Sequence, residues 1–135
     1  MSHNELKYYS AGIHNVGSYQ ASGWPWLTAS VFTGVADTEI KTSFPMVTKS
    51  ITFIQSGSNA GARIHFVSTS SGPVVERRHY VSLNADGESL TMNVKCKEVY
   101  ISVPGADSFA IEIQAELTNI PTSRMYTLTG SGHTE

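Results

Sequence analysis

The stretch Phe109-Ala110-Ile111-Glu112-Ile113-Gln114-Ala115-Glu116-Leu117 alternates apolar and polar residues without a slip. A period of two belongs to a β-strand, whose successive side chains point to opposite faces, and it cannot form the single apolar stripe of a helix. Phe109, Ile111, Ile113, Ala115 and Leu117 are expected to face a core, with Glu112, Gln114 and Glu116 in water. The pattern recurs in 89–96, where Leu90, Met92, Val94 and Cys96 share a face, and again in Val99, Ile101 and Val103. Lys97-Glu98 between them reads as a tight turn or a bulge. Further strands are expected over 27–33, 38–44, 48–55, 62–68, 74–83 and 125–129, and no window of a dozen residues carries a helical apolar repeat.

Turn signals separate these segments: Phe44-Pro45, 56–61, 70–73, Asn84-Ala85-Asp86-Gly87 and 104–107. Asn84 to Gly87 reads as a hairpin turn in which Asp-Gly supplies positive φ, since the remaining ligands of a calcium loop are missing. About 8 to 10 short strands at such spacing suit an all-β protein, an antiparallel β-sandwich or jelly roll. Residues 1–26 have weaker periodicity and read as an N-terminal arm or edge segment, with the sandwich domain over 27–135. Ile54 breaks the alternation of Ile51 and Phe53, so its strand is apolar on both faces and lies centrally or against a neighbouring subunit.

The 135 residues are 40% hydrophobic, enough for one domain with a core that needs no staples. Net charge is −2 and the longest like-charge run is Arg77-Arg78, so the footprint of a nucleic-acid binder is missing. The single cysteine, Cys96, allows no internal disulfide and reads as a small buried hydrophobe. The start MSHNELKYYSAGIHN lacks a basic and an apolar signal region, and no apolar run approaches the roughly 20 residues of a membrane span. Synthesis in the cytoplasm and no membrane partner are expected. Charged residues make up 15%, below the roughly 25% usual in soluble domains, while Ser and Thr abound.

Residues for chemistry are scattered. His3, His14, His65, His79 and His133 show no metal-ligand spacing, and His65 and His79, on neighbouring expected strands, read as solvated. No GxSxG elbow supports a Ser nucleophile, and 56–61 lacks the GK[ST] of a phosphate loop. Glu112 and Glu116 lie about 13 Å apart along one strand, too far for a glycosidase pair. No catalytic, cofactor-binding or metal residue is assigned, no cofactor is expected, and the chain reads as non-enzymatic.

Both tryptophans lie in SYQASGWPWL, residues 18–27. Pro25 keeps Trp24 out of the helical region and cannot donate to a ladder, so both indoles are expected on an extended or turning backbone. The strand register puts Trp26 with Thr28 and Ser30, the polar side. The indoles either cap the end of the core or anchor an interface, and tandem aromatics can also stack on sugar rings.

The order of motifs, Gly12-Ile13-His14-Asn15-Val16-Gly17-Ser18-Tyr19-Gln20 with Ser22-Gly23-x-Pro25, then Phe44-Pro45-x-Val47-Thr48-Lys49-Ser50, Arg63-Ile64-His65-Phe66, Asn93-Val94-Lys95-Cys96-Lys97-Glu98, 115–120 and 128–132, resembles small virion structural proteins of tailed phages, especially of marine and cyanobacterial hosts. The likeness covers most of the chain. It implies a non-enzymatic head decoration or cement protein on the capsid surface, commonly a homotrimer, bound to the major capsid protein or other virion proteins. The alternative is a fibre, neck or tail module that recognises a receptor or glycan. On this reading the interface residues are Tyr8, Tyr9, Tyr19, Trp24, Pro25 and Trp26, with Arg77 and Arg78 as bidentate partners for capsid carboxylates.

Overall fold

Alternating segments that each hide one face must pair edge to edge and then close face to face, and the computed structural model does so. It describes residues 12–14, 16–20, 22–57, 61–69 and 79–128. Among these run helix α1 (Val16–Gln20) and strands β1 (Trp24–Thr33), β2 (Thr38–Ser43), β3 (Met46–Ser56), β4 (Ala62–His65), β5 (Val81–Leu83), β6 (Ser89–Met92), β7 (Glu98–Val103) and β8 (Ser108–Pro121). A 3₁₀ turn, Thr122–Arg124, follows. The strands form two antiparallel four-stranded sheets, β1-β8-β3-β6 and β2-β7-β4-β5. The fold is an all-β sandwich.

β1 thus pairs with β8, β2 with β7, β3 with β6 and β4 with β5, so the first four strands fold back along the last four. Only β4 and β5 are consecutive strands of one sheet; every other connection crosses from one sheet to the other. This corrects the hairpin expected at Asn84 to Gly87. Gly87 does take φ +83°, but the turn carries the chain from β5 in one sheet to β6 in the other. The turn residues encode the reversal, while which sheet receives the next strand depends on distant pairing.

β8 alternates as its sequence requires: Phe109, Ile111, Ile113, Ala115 and Leu117 are buried, and Glu112, Gln114 and Glu116 are exposed. They join Ile51, Phe53, Ile64, Val99, Ile101 and Val103 in the core between the sheets. Beyond Leu117 the alternation slips, with Thr118 and Ile120 both buried, where β3 has irregular register between Met46 and Ser50. Ile120, Val47 and Met125 form a second cluster covered by Ile13 and Tyr19. Met125 is buried there at the end of the 3₁₀ turn, and among the described residues 125–128 the strand expected over 125–129 does not form.

β1 corrects the sequence reading most. Its side with Trp26, Thr28, Ser30 and Phe32 faces inward, and Leu27, Ala29 and Val31 point out. Two aromatics decide this. Trp26 meets Phe44 edge to face at 5.2 Å, and Phe32 stacks on Phe109 at 5.2 Å. Each such pair adds about 0.5 to 1.5 kcal/mol beyond its buried area, so burying Trp and Phe outweighs burying Leu and Val. The inward Ser30 lies 3.3 Å from Thr42 of the other sheet, hydroxyl to hydroxyl, so its polar group is partnered. Pro25 does not keep Trp24 to Trp26 out of the ladder: they pair with Leu117, Glu116 and Ala115. Just before them, a Cβ on Gly23 would come 2.7 Å from Glu116 Cβ, so only glycine lets the chain enter β1 this close to β8.

Candidate interface on the outer face of the sandwich

The outer face of the β1-β8-β3-β6 sheet is a grid of crosswise rows. Pro25 lies beside Glu116 and Ser50; Leu27 beside Gln114, Thr52 and Thr91; Ala29 beside Glu112, Ile54 and Ser89. Hydrogen bonds tie the polar members, with Ser50 Oγ donating to Glu116 Oε2 at 3.0 Å and the Thr52 and Thr91 hydroxyls 2.9 Å apart. The apolar members stand open: Leu27 is 73% and Val31 60% exposed. Two open depressions follow the grid. One, about 390 Å³, lies between Leu27, Ala29, Ile54 and Glu112, and the other, about 490 Å³, between Gly23, Pro25, Leu27, Lys49 and Glu116.

The expected interface residues divide. Trp24 is 62% exposed, its indole Nε1–H donating to Asn119 Oδ1 at 2.7 Å. Pro25 is exposed beside it. Trp26 belongs to the core margin against Phe44, which corrects its assignment as an interface anchor. Tyr19 is spent inside the protein too. Its hydroxyl donates to the Ile13 carbonyl at 2.7 Å, Lys95 Nζ lies 5.6 Å from its ring centre, and it packs on the second cluster. Tyr8, Tyr9, Arg77 and Arg78 lie outside the described residues. Leu27 and Val31 were missed, although β1 carries the signal used for Ile54, apolar residues at both parities. Ile54 does lie on a central strand, half-buried on this outer face.

Titratable groups gather on the other sheet's outer face. His65 is buried, 2.8 Å from the Val67 carbonyl through Nδ1 and 2.9 Å from Ser102 Oγ through Nε2, and it stacks on Tyr100. Glu39 Oε1 lies 3.8 Å from His65 Nε2. The Glu39 carboxylate accepts from the Ser68 hydroxyl at 2.7 Å and the Thr69 N–H at 2.9 Å, fastening the segment after β4 onto β2. Burial works against its charge, yet these bonds and nearby His65 outweigh burial and hold its pKa below the usual 4.5. A carboxyl lowered in the folded state contributes stability that is complete above the unfolded value and lost as pH falls through the folded one. Glu39→Gln should therefore cost more stability at pH 7 than at pH 3 in urea titrations; an equal loss at both would show that the charge does not hold the clasp.

Cys96 is fully buried, and burial pushes its thiol up to about 11 against the smaller opposing effect of Thr48. Among the described residues no three His, Cys, Asp or Glu side chains group to hold a metal, and no helix is long and apolar enough to cross a membrane. Comparison with known proteins brings no match, whether to family models, curated sequences or solved structures.

Proposed function

We propose that the chain is a structural protein of a tailed-phage particle, a decoration protein that packs on the outer shell and ties neighbouring capsomers together. The observation that carries this reading is the outer face of the β1 sheet, where Leu27, Val31 and half-buried Ile54 stand in a grid of otherwise small and polar side chains. Open apolar residues along a rigid sheet suit packing against protein. The motif order that resembles phage virion proteins points the same way. We read the wrapping of four strand pairs as a jelly roll, an architecture that recurs in viral capsid domains and also in lectins, so the fold alone does not choose a function. Many copies, each bridging a junction with modest contacts, would add up over a shell.

A fibre, neck or tail module that binds glycans draws support from the exposed Trp24 indole beside Asn119. It loses the paired aromatic platform, because Trp26 packs on Phe44. Quantitative mass spectrometry of purified particles separates the readings. A decoration protein is expected in a fixed, near-stoichiometric ratio to the major shell protein. A handful of copies per particle would favour the neck or tail module, and absence from particles would overturn both.

A further inference from the structure

β1 is the last strand of its sheet, and its open edge differs from the others among the described residues. Edges of β-sheets offer unpaired N–H and C=O groups to any passing strand, and proteins blunt them with short strands, charges, prolines or bulges. β5 has three residues and β6 four, and β2 carries Glu39 and Lys41. β1 has ten residues without a charge, and its register against β8 runs unbroken from Trp24 to Thr33. Pro25 interrupts the donors only near its start.

We infer that β1 pairs antiparallel with β1 of a second copy about a two-fold axis through Ala29, joining two sandwiches through one continuous eight-stranded sheet. The inference goes beyond the decoration reading: the second copy takes the edge of β1, and the outward face of the same sheet stays open to the shell. Pairing about Ala29 uses nearly the whole strand, from Pro25 to Thr33. It sets Leu27 of each copy opposite Val31 of the other, and the smallest side chain of the three meets its own mate at the axis. The two most exposed apolar side chains of the strand's outer face then meet side by side across the joint. Charge does not oppose the contact. The carboxylates in the rows beside β1, Glu112 and Glu116, sit one strand back on β8, so those of the two copies are at least three strand spacings apart, about 14 Å. That exceeds the screening length of about 8 Å at physiological salt. A two-fold contact makes dimers, whereas the phage resemblance implies a trimer, so the mass in solution discriminates.

Light scattering coupled to gel filtration of the whole chain is expected to give twice the monomer mass at micromolar concentration. Val31→Glu, at an exposed position, is expected to halve that mass with an unchanged far-ultraviolet spectrum. Ala29→Cys is expected to yield a disulfide-linked dimer on mild oxidation, because opposed residues of an antiparallel pair have Cα atoms about 4.5 to 5.5 Å apart, within disulfide reach. Buried Cys96 does not compete. A monomer or a trimer for the native chain, a Val31→Glu protein that stays dimeric, or an Ala29→Cys dimer that does not cross-link would each overturn the inference. Particle copy number tests the decoration reading separately, so either can fail alone.

Discussion

Phe53→Ala is expected to lower the unfolding free energy by about 3 to 5 kcal/mol and the melting temperature by roughly 10 to 20 °C. Phe53 has the largest of the fully buried side chains among the described residues. It sits on β3 with Ile113 of β8 on one side and Leu90 of β6 on the other, facing the second sheet across the core. Truncation removes the transfer energy of the ring and leaves a hole that strands hydrogen-bonded on both flanks cannot close. A domain of this kind holds about 5 to 15 kcal/mol in total, so the variant keeps a small margin or none. Phe53→Leu fills most of the hole and is expected to cost less than half as much. Urea titrations at one protein concentration measure both; a loss below about 1 kcal/mol for alanine would mean that the two sheets do not close over this residue.

The difference between β8 and β1 shows what the sequence makes legible. β8 is flanked by β1 and β3 and buried on one face only, so its alternation maps directly onto burial. β1 carries apolar residues at both parities, and periodicity then cannot say which set goes inside. Trp26 and Phe32 win because Phe44 and Phe109 stand ready across and beside them, a fact of tertiary structure. The same blindness affects pairing. Trp24 lies opposite Leu117, and nothing local in SYQASGWPWL announces that partner. In the tryptophan segment Trp24 and Pro25 are on the surface, while the open apolar area comes from Leu27 and Val31, which the alternation of β1 does not single out.

The strand expected over 89–96 stops at Met92, and the reason leads to the second large effect. Past Met92 the regular ladder with β3 gives way to bonds made at one residue, Thr48. Thr48, fully buried at the register irregularity of β3, donates from Oγ1 to the Val94 carbonyl at 2.8 Å and accepts the Cys96 N–H at 3.1 Å. Its own N–H donates to the Cys96 carbonyl at 3.0 Å. Thr48→Val keeps the shape and removes the hydroxyl's bonds, leaving the buried Cys96 amide unmet and the Val94 carbonyl, at a part-buried position, to water. At about 1 to 3 kcal/mol for a buried unsatisfied group, a loss of about 1 to 3 kcal/mol is expected. Thr48→Ser retains the hydroxyl, gives up one methyl group, and is expected to cost about 1 kcal/mol. Hydrogen exchange localises the effect: the Cys96 amide should exchange faster in the valine variant even where the Phe53 amide stays protected. If valine is tolerated better than serine, the methyl contact rather than the hydroxyl joins this segment to β3.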